Sequence, residues 1–140
     1  MYSLKELRKE NHYSQIEVAD MIEKHVNIYR KYEQNRIQMP AVTLKKLSEI
    51  YNVSMDDIEI MGFKRKYDSF NRLKKKKTIK ELRKEEDLTK KAVALGAEIT
   101  PSAYDFYEKD AVNISALAFA KICDFFIVSR DDVIIPGSIG

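Results

Sequence analysis

Residues 4–60 and 79–135 align without a gap at an offset of 75 positions, and this repeat limits the possible folds more than any other feature of the chain. LKELRKE is matched by IKELRKE, Val18-Ala19 by Val93-Ala94, and the frame Y-x-x-Y-E recurs as Tyr29, Tyr32, Glu33 and Tyr104, Tyr107, Glu108. Val53-Ser54 and Asp56-Asp57 return as Val128-Ser129 and Asp131-Asp132, with conservative apolar swaps between these anchors, such as Leu44 for Phe119 and Ile50 for Phe125. Each unit is far longer than a solenoid or coiled-coil repeat, so the pattern describes two copies of one small domain.

Each copy reads as five short helices. Leu4 and Leu7 mark one face of a first helix. Ser14 and Glu17 form a capping-box signature for the second, with Tyr13 and Val18 at the staple positions. In the second copy Thr89 caps and Leu88 and Val93 supply the staple, but Ala92 replaces the box acid. The third helix starts near His25, and at Thr100-Pro101 in the second copy, where a cap precedes a first-turn proline. Asn35 tolerates a left-handed φ and can end it. A fourth helix covers roughly 41–51 and 116–126, and Ser54 and Ser129 cap a short fifth. Ala19 and Ala94 are small where two helices must cross closely.

With only four glycines and three prolines in 140 residues, a loop-rich or all-β fold is disfavoured. Cys123 is the only cysteine and His12 and His25 are the only histidines, which leaves neither a disulfide nor a zinc site. No Gly-rich phosphate loop, HExxH or nucleophile beside a histidine is present, so no enzyme activity and no cofactor are expected. The start MYSLKELRKE lacks an apolar signal region and no stretch reaches membrane-spanning length, so a cytoplasmic protein with no membrane partner is expected. The net charge of +3 is unevenly spread: residues 1–60 carry −1, residues 61–78 carry +7 and residues 79–140 carry −3. The resulting division is 1–62, a basic linker at 63–78, and 79–140.

S-Q-x-E-x-A, a short turn, Y-x-x-Y-E-x-N, then Pro40 and an L-x-x-L helix together resemble the helix-turn-helix domain of the phage repressor/Cro (Xre) family. The resemblance covers 4–60 closely and 79–135 more loosely. It implies an all-α fold of two tandem five-helix repressor-like domains and a bacterial or phage DNA-binding regulator. The family has glycine in its turn, followed by an apolar residue, where this chain has Glu23-Lys24 and Glu98-Ile99. A non-glycine residue in left-handed backbone costs about 1–2 kcal/mol, which favours a reshaped turn in both copies.

By the same resemblance Val26, Asn27 and Lys31 are the groove-facing residues of the recognition helix, and Gln15 contacts phosphate or base. Their chemistry suits the role: Asn pairs with adenine, Lys reaches guanine or phosphate, and Val packs on a thymine methyl. Arg30 and Arg36 flank the helix as backbone contacts that fix register. The second copy has Pro101, Ser102 and Phe106 at the reading positions, Asp105 beside them and Lys90 in place of Gln15. Its scaffold is retained while its reading surface is lost, and Ala103, Phe106 and Phe126 are candidates for a protein interface. A homodimer formed through the second copy is expected, since a palindrome requires two heads about 34–36 Å apart. The junction KRKYDSFNRLKKKK reads either as a flexible tether or as a helix continuing into the second copy, with Lys74, Lys75, Lys76 and Lys77 as candidate phosphate contacts. Double-stranded DNA is thus the expected partner. The alternative is a protein-binding helix-turn-helix module, such as a phage or mobile-element inhibitor or an antitoxin.

Overall fold

The computed structural model describes residues 1–109 and 114–136. The first copy contains α1 (Leu4–Glu10), α2 (Gln15–Met21), α3 (Val26–Glu33) and α4 (Ala41–Tyr51), then a 3₁₀ turn at Met55–Asp57. The second contains α5 (Ile79–Glu85), α6 (Lys90–Gly96), α7 (Pro101–Glu108) and α8 (Ala116–Phe125), then a 3₁₀ turn at Arg130–Asp132. The all-helical expectation holds, with the fifth helix of each copy reduced to a single turn.

Local signals set most boundaries. Ser14 and Glu17 form the capping box of α2, whereas Thr89 caps α6 through its hydroxyl alone, as Ala92 requires. His25 caps α3 by accepting the Asn27 N–H on Nδ1 at 3.1 Å, and Thr100 caps α7 through its hydroxyl ahead of Pro101. Asn35 follows α3 with φ 54°. The turn before α3 is not reshaped. Glu23 and Glu98 adopt φ of 57° and 58°, the glycine-like conformation itself. Each is held by the next residue: Lys24 N–H donates to Ala19 C=O and Ile99 N–H to Ala94 C=O, both at 2.9 Å. These bonds satisfy the carbonyls at the end of α2 and α6 and offset the backbone cost.

The repeated frame builds the interior of each copy. Tyr29 is fully buried, with its hydroxyl 2.9 Å from that of Tyr51. Tyr104 occupies the same place in the second copy, but the counterpart of Tyr51 is Phe126, and among the described residues the Tyr104 hydroxyl has no hydrogen-bond partner. Burial, with the Glu108 carboxylate nearby, raises the pKa of that hydroxyl well above the usual phenol value. The second copy also exchanges volume. Phe125 replaces Ile50, and Gly96 replaces Met21 where a Cβ would lie 2.1 Å from the Phe125 ring.

The two copies pack on each other about a pseudo-twofold axis. Ala41 N–H donates to Ile114 C=O at 2.9 Å and Ala116 N–H to Met39 C=O at 2.8 Å, a reciprocal pair in which each residue is exchanged for the one 75 positions away. At the far end of α4 and α8 the pattern repeats. Asp131 accepts from Ser54 Oγ and from Met55 N–H at 3.1 Å; Asp56 accepts from Ser129 Oγ and from Arg130 N–H at 3.0 Å. Between these ends α4 packs against α8, and buried apolar residues of both copies form one core that includes Leu44, Leu47, Phe119 and Ile122. Cys123 is buried there, and desolvation raises its thiol pKa far above the usual value, consistent with a core thiol.

The junction is neither a tether nor a helix. It runs extended along the end of the second copy: Asn71 N–H donates to Ile127 C=O at 2.7 Å, and Lys77 N–H donates to Asp132 C=O at 3.1 Å. Arg72 grips Asp132 with two bonds of 2.8 and 3.1 Å, and Leu73 N–H donates to the same carboxylate at 2.9 Å. These partners lie in distant sequence, so the charge run alone did not reveal the path. Lys77 pairs with Val133 as Tyr2 pairs with Ile58, the same bridge 75 positions apart.

Candidate nucleic-acid interface

The exposed face of α3 carries a connected set of polar side chains. Arg30 Nε donates to Gln15 Oε1 at 3.0 Å and Arg30 Nη1 to Asn27 Oδ1 at 3.1 Å. Gln15 Nε2 donates to Glu33 Oε1 at 3.2 Å. Glu33 in turn receives a forked ion pair from Arg8, Nε to Oε2 at 2.6 Å and Nη2 to Oε1 at 3.2 Å. Arg8 Nη1 also donates to Tyr13 C=O at 3.2 Å, which ties α1 to the start of α2. Thus Asn27, Arg30 and Gln15 are oriented by a chain of bonds that ends on a nearly buried pair, with Arg8 12% and Glu33 3% exposed. Such preorganisation lowers the rotamer entropy these side chains would lose on meeting a ligand.

Burial alone would raise the Glu33 carboxyl pKa, but Arg8, with Tyr29 and Gln15, outweighs it and holds the group below the usual carboxylate range. The hydrogen bond to Glu33 raises the already high pKa of Arg8. The pair therefore stays charged at neutral pH. It recurs in the second copy: Arg83 forks onto Glu108 at 2.6 and 3.0 Å and donates to Leu88 C=O at 3.0 Å. The role of these arginines was not read from the sequence, although Arg8 and Arg83 stand at the same repeat position and Glu33 and Glu108 at another. The repeat thus held the signal.

The structure brings Gln15, Asn27 and Arg30 together. Val26 opens α3 half-buried, and Lys31 is half-buried on the same helix. Arg36 lies exposed in the loop after α3, with Nη1 3.5 Å from Gln34 Oε1. In the second copy the corresponding polar pair has reversed polarity. Lys90 Nζ, in place of Gln15, donates to Asp105 Oδ1 at 2.6 Å, and Lys109 Nζ reaches Asp105 Oδ2 at 2.7 Å. Hydrogen bonds from Lys109 and Lys90 lower the Asp105 carboxyl pKa to about 2, so it stays ionised and paired with both ammonium groups. Phe106 is 50% exposed and Leu95, on α6, is 82% exposed. Ala103 is half-buried, and Phe126 is half-buried against the core, edge-on to Phe125 at 5.1 Å. Lys74, Lys75 and Lys76 are exposed, whereas Lys77 is engaged by Glu85 at 2.7 Å.

A family model described as helix-turn-helix matches the chain twice, over residues 4–58 and 79–133. This chain belongs to that helix-turn-helix family, of the Xre/Cro kind. Comparison with curated proteins and with solved structures gave no match. The helix-turn-helix family is DNA-binding and regulatory rather than typically enzymatic. In the tandem helix-turn-helix chain, α2–α3 and α6–α7 are the two motifs, and both repressor-like copies retain the fold. Among the described residues no group of His, Cys, Asp or Glu could hold a metal ion, and no helix is long and apolar enough to cross a membrane.

Proposed function

We propose that the protein is a sequence-specific transcriptional regulator of the repressor type, in which α3 enters the major groove and reads base edges. The observation that carries this reading is the Asn27–Arg30–Gln15 network on the exposed face of α3, anchored on Glu33 and Arg8. Asn27 supplies an amide for an adenine edge, Lys31 a cation for guanine or phosphate, and Val26 an apolar contact for a thymine methyl. Arg30 and Arg36 contact the backbone and fix register, and Gln15 meets phosphate or base.

A second reading, a protein partner held by the second copy, is favoured by Phe106 and Leu95, large apolar side chains left exposed there. The test of the main reading is a pull-down of genomic DNA fragments by the purified protein, followed by sequencing. Enrichment of a short defined motif supports DNA reading. Recovery of fragments without a common motif contradicts it and leaves the protein-binding module as the better description.

A further inference from the structure

The pseudo-twofold axis has a consequence for how DNA is engaged. The contacts across it are reciprocal at both ends: Ala41 with Ile114 and Ala116 with Met39 at one, Asp131 with Ser54 and Met55 and Asp56 with Ser129 and Arg130 at the other. The 11-residue α4 separates these ends by about 16 Å. The second copy therefore sits on the first as one subunit of a symmetric dimer sits on its mate. Residues 39–41, leading into α4, and 114–116, leading into α8, meet the axis at the same end, so both motifs are presented in twofold-related positions.

The match is not perfect at the axis, and the departure favours unlike copies. Arg130 is the repeat counterpart of Met55, and its Nη1 donates to Met55 C=O at 2.6 Å. It is buried, 3.7 Å from Asp56 Oδ1, with its guanidinium 4.9 Å from the centre of the Phe63 ring. A residue that touches its own counterpart lies at the axis. Pairing two second copies through this surface would bring two Arg130 guanidinium groups to the axis, each facing an Asp131 in place of Asp56, so two ion pairs would have to be buried where the present pairing buries one. Pairing the first copy with the second places one cation beside one carboxylate.

We infer that a single chain is a covalent pseudo-dimer that spans a two-headed DNA site alone and reads only one half of it. This rests on the DNA reading proposed above. The self-complementary surface that the first copy presents at this axis is already filled by the chain's own second copy. Of the two heads, α3 offers Asn27 and Lys31 to the bases, while α7 offers Pro101, Ser102 and Phe106, with Asp105 beside them already engaged by Lys90 and Lys109. The preferred site is consequently asymmetric: one defined half-site beside a half whose sequence is tolerated.

The experiment is selection of random duplexes by the full-length chain, followed by native mass spectrometry of the selected complex. The expected complex holds one chain per duplex, and the selected motif is not a palindrome. Single-base changes in the defined half should weaken binding about 5- to 150-fold, and changes in the other half by less than about twofold. Two chains per duplex, or a palindromic motif, overturns the pseudo-dimer while leaving the DNA reading intact. Failure to select any motif overturns the DNA reading, and this inference falls with it.

Discussion

Asp56 and Asp131 each cap the 3₁₀ turn of the other copy, and they do so in different surroundings. Asp56 is 4% exposed and also faces the buried guanidinium of Arg130; Asp131 is half-buried. Removing Asp56 leaves Arg130 as an uncompensated buried charge, so Asp56→Ala should cost about 3–5 kcal/mol. Asp131→Ala removes hydrogen bonds to Ser54 and Met55 and should cost about 1–2 kcal/mol. Urea denaturation of the two variants checks the order; equal losses would mean that Arg130 does not depend on Asp56.

The two buried tyrosines should respond oppositely to the same substitution. Tyr29→Phe strips the Tyr51 hydroxyl of its partner and should destabilise the protein by about 1–3 kcal/mol. Tyr104→Phe removes a buried hydroxyl that closes no hydrogen bond among the described residues, and should be neutral or stabilising by up to about 1 kcal/mol. Thermal unfolding at pH 7 distinguishes them. Similar losses for both would show that the Tyr104 hydroxyl has a partner after all.

What the sequence disclosed and what it hid follow from the range of the interactions. Ser14, Thr89, His25 and Thr100 act within three residues of themselves, so the starts of α2, α3, α6 and α7 were legible. Gln15, Asn27 and Arg30 stand out as DNA contacts through the family resemblance alone; the hydrogen bonds that join their side chains are visible only in the structure. Glu23 and Glu98 misled, because the bonds that hold the left-handed turn come from the following residue and do not need glycine. The path of the junction was hidden because its partners, Ile127 and Asp132, lie about 60 positions away. The matched Asp56 and Asp131 were visible as repeat letters, but nothing in one copy indicates that each serves the other.

Acid should weaken the frame that holds α3. Glu33 has a folded pKa below its unfolded value, so its contribution is fully present above the unfolded carboxylate range, near pH 4.3, and is lost as pH falls through the lower folded value. Glu108 behaves alike: burial raises its pKa, but the bonds from Arg83 outweigh that and the net shift is downward. Stability should therefore fall below about pH 4.5. In Glu33→Gln this fall should be shallower, and the variant should be less stable than wild type at pH 7. A fall of unchanged depth in Glu33→Gln would remove this pair as its source.

Of the four lysines that close the junction, Lys77 is held by Glu85, while Lys74, Lys75 and Lys76 form no ion pair among the described residues. Changing these three to glutamine should weaken binding to all duplexes alike. It should also flatten the log–log salt slope by up to about 0.9 for each phosphate no longer neutralised. Lys77→Gln should have less effect on that slope. A changed base preference in the triple variant would mean that the junction enters a groove.

The most direct test compares the two heads at one repeat position, Asn27 in α3 and Ser102 in α7, in the full-length chain on its selected duplex. Asn27→Ala should lose about 1–3 kcal/mol of binding and relax preference at one base pair, while Ser102→Ala should bind within about 0.3 kcal/mol of wild type. A loss from Ser102→Ala as large as that from Asn27→Ala, or no loss from either, would contradict the account of α3 as the reader.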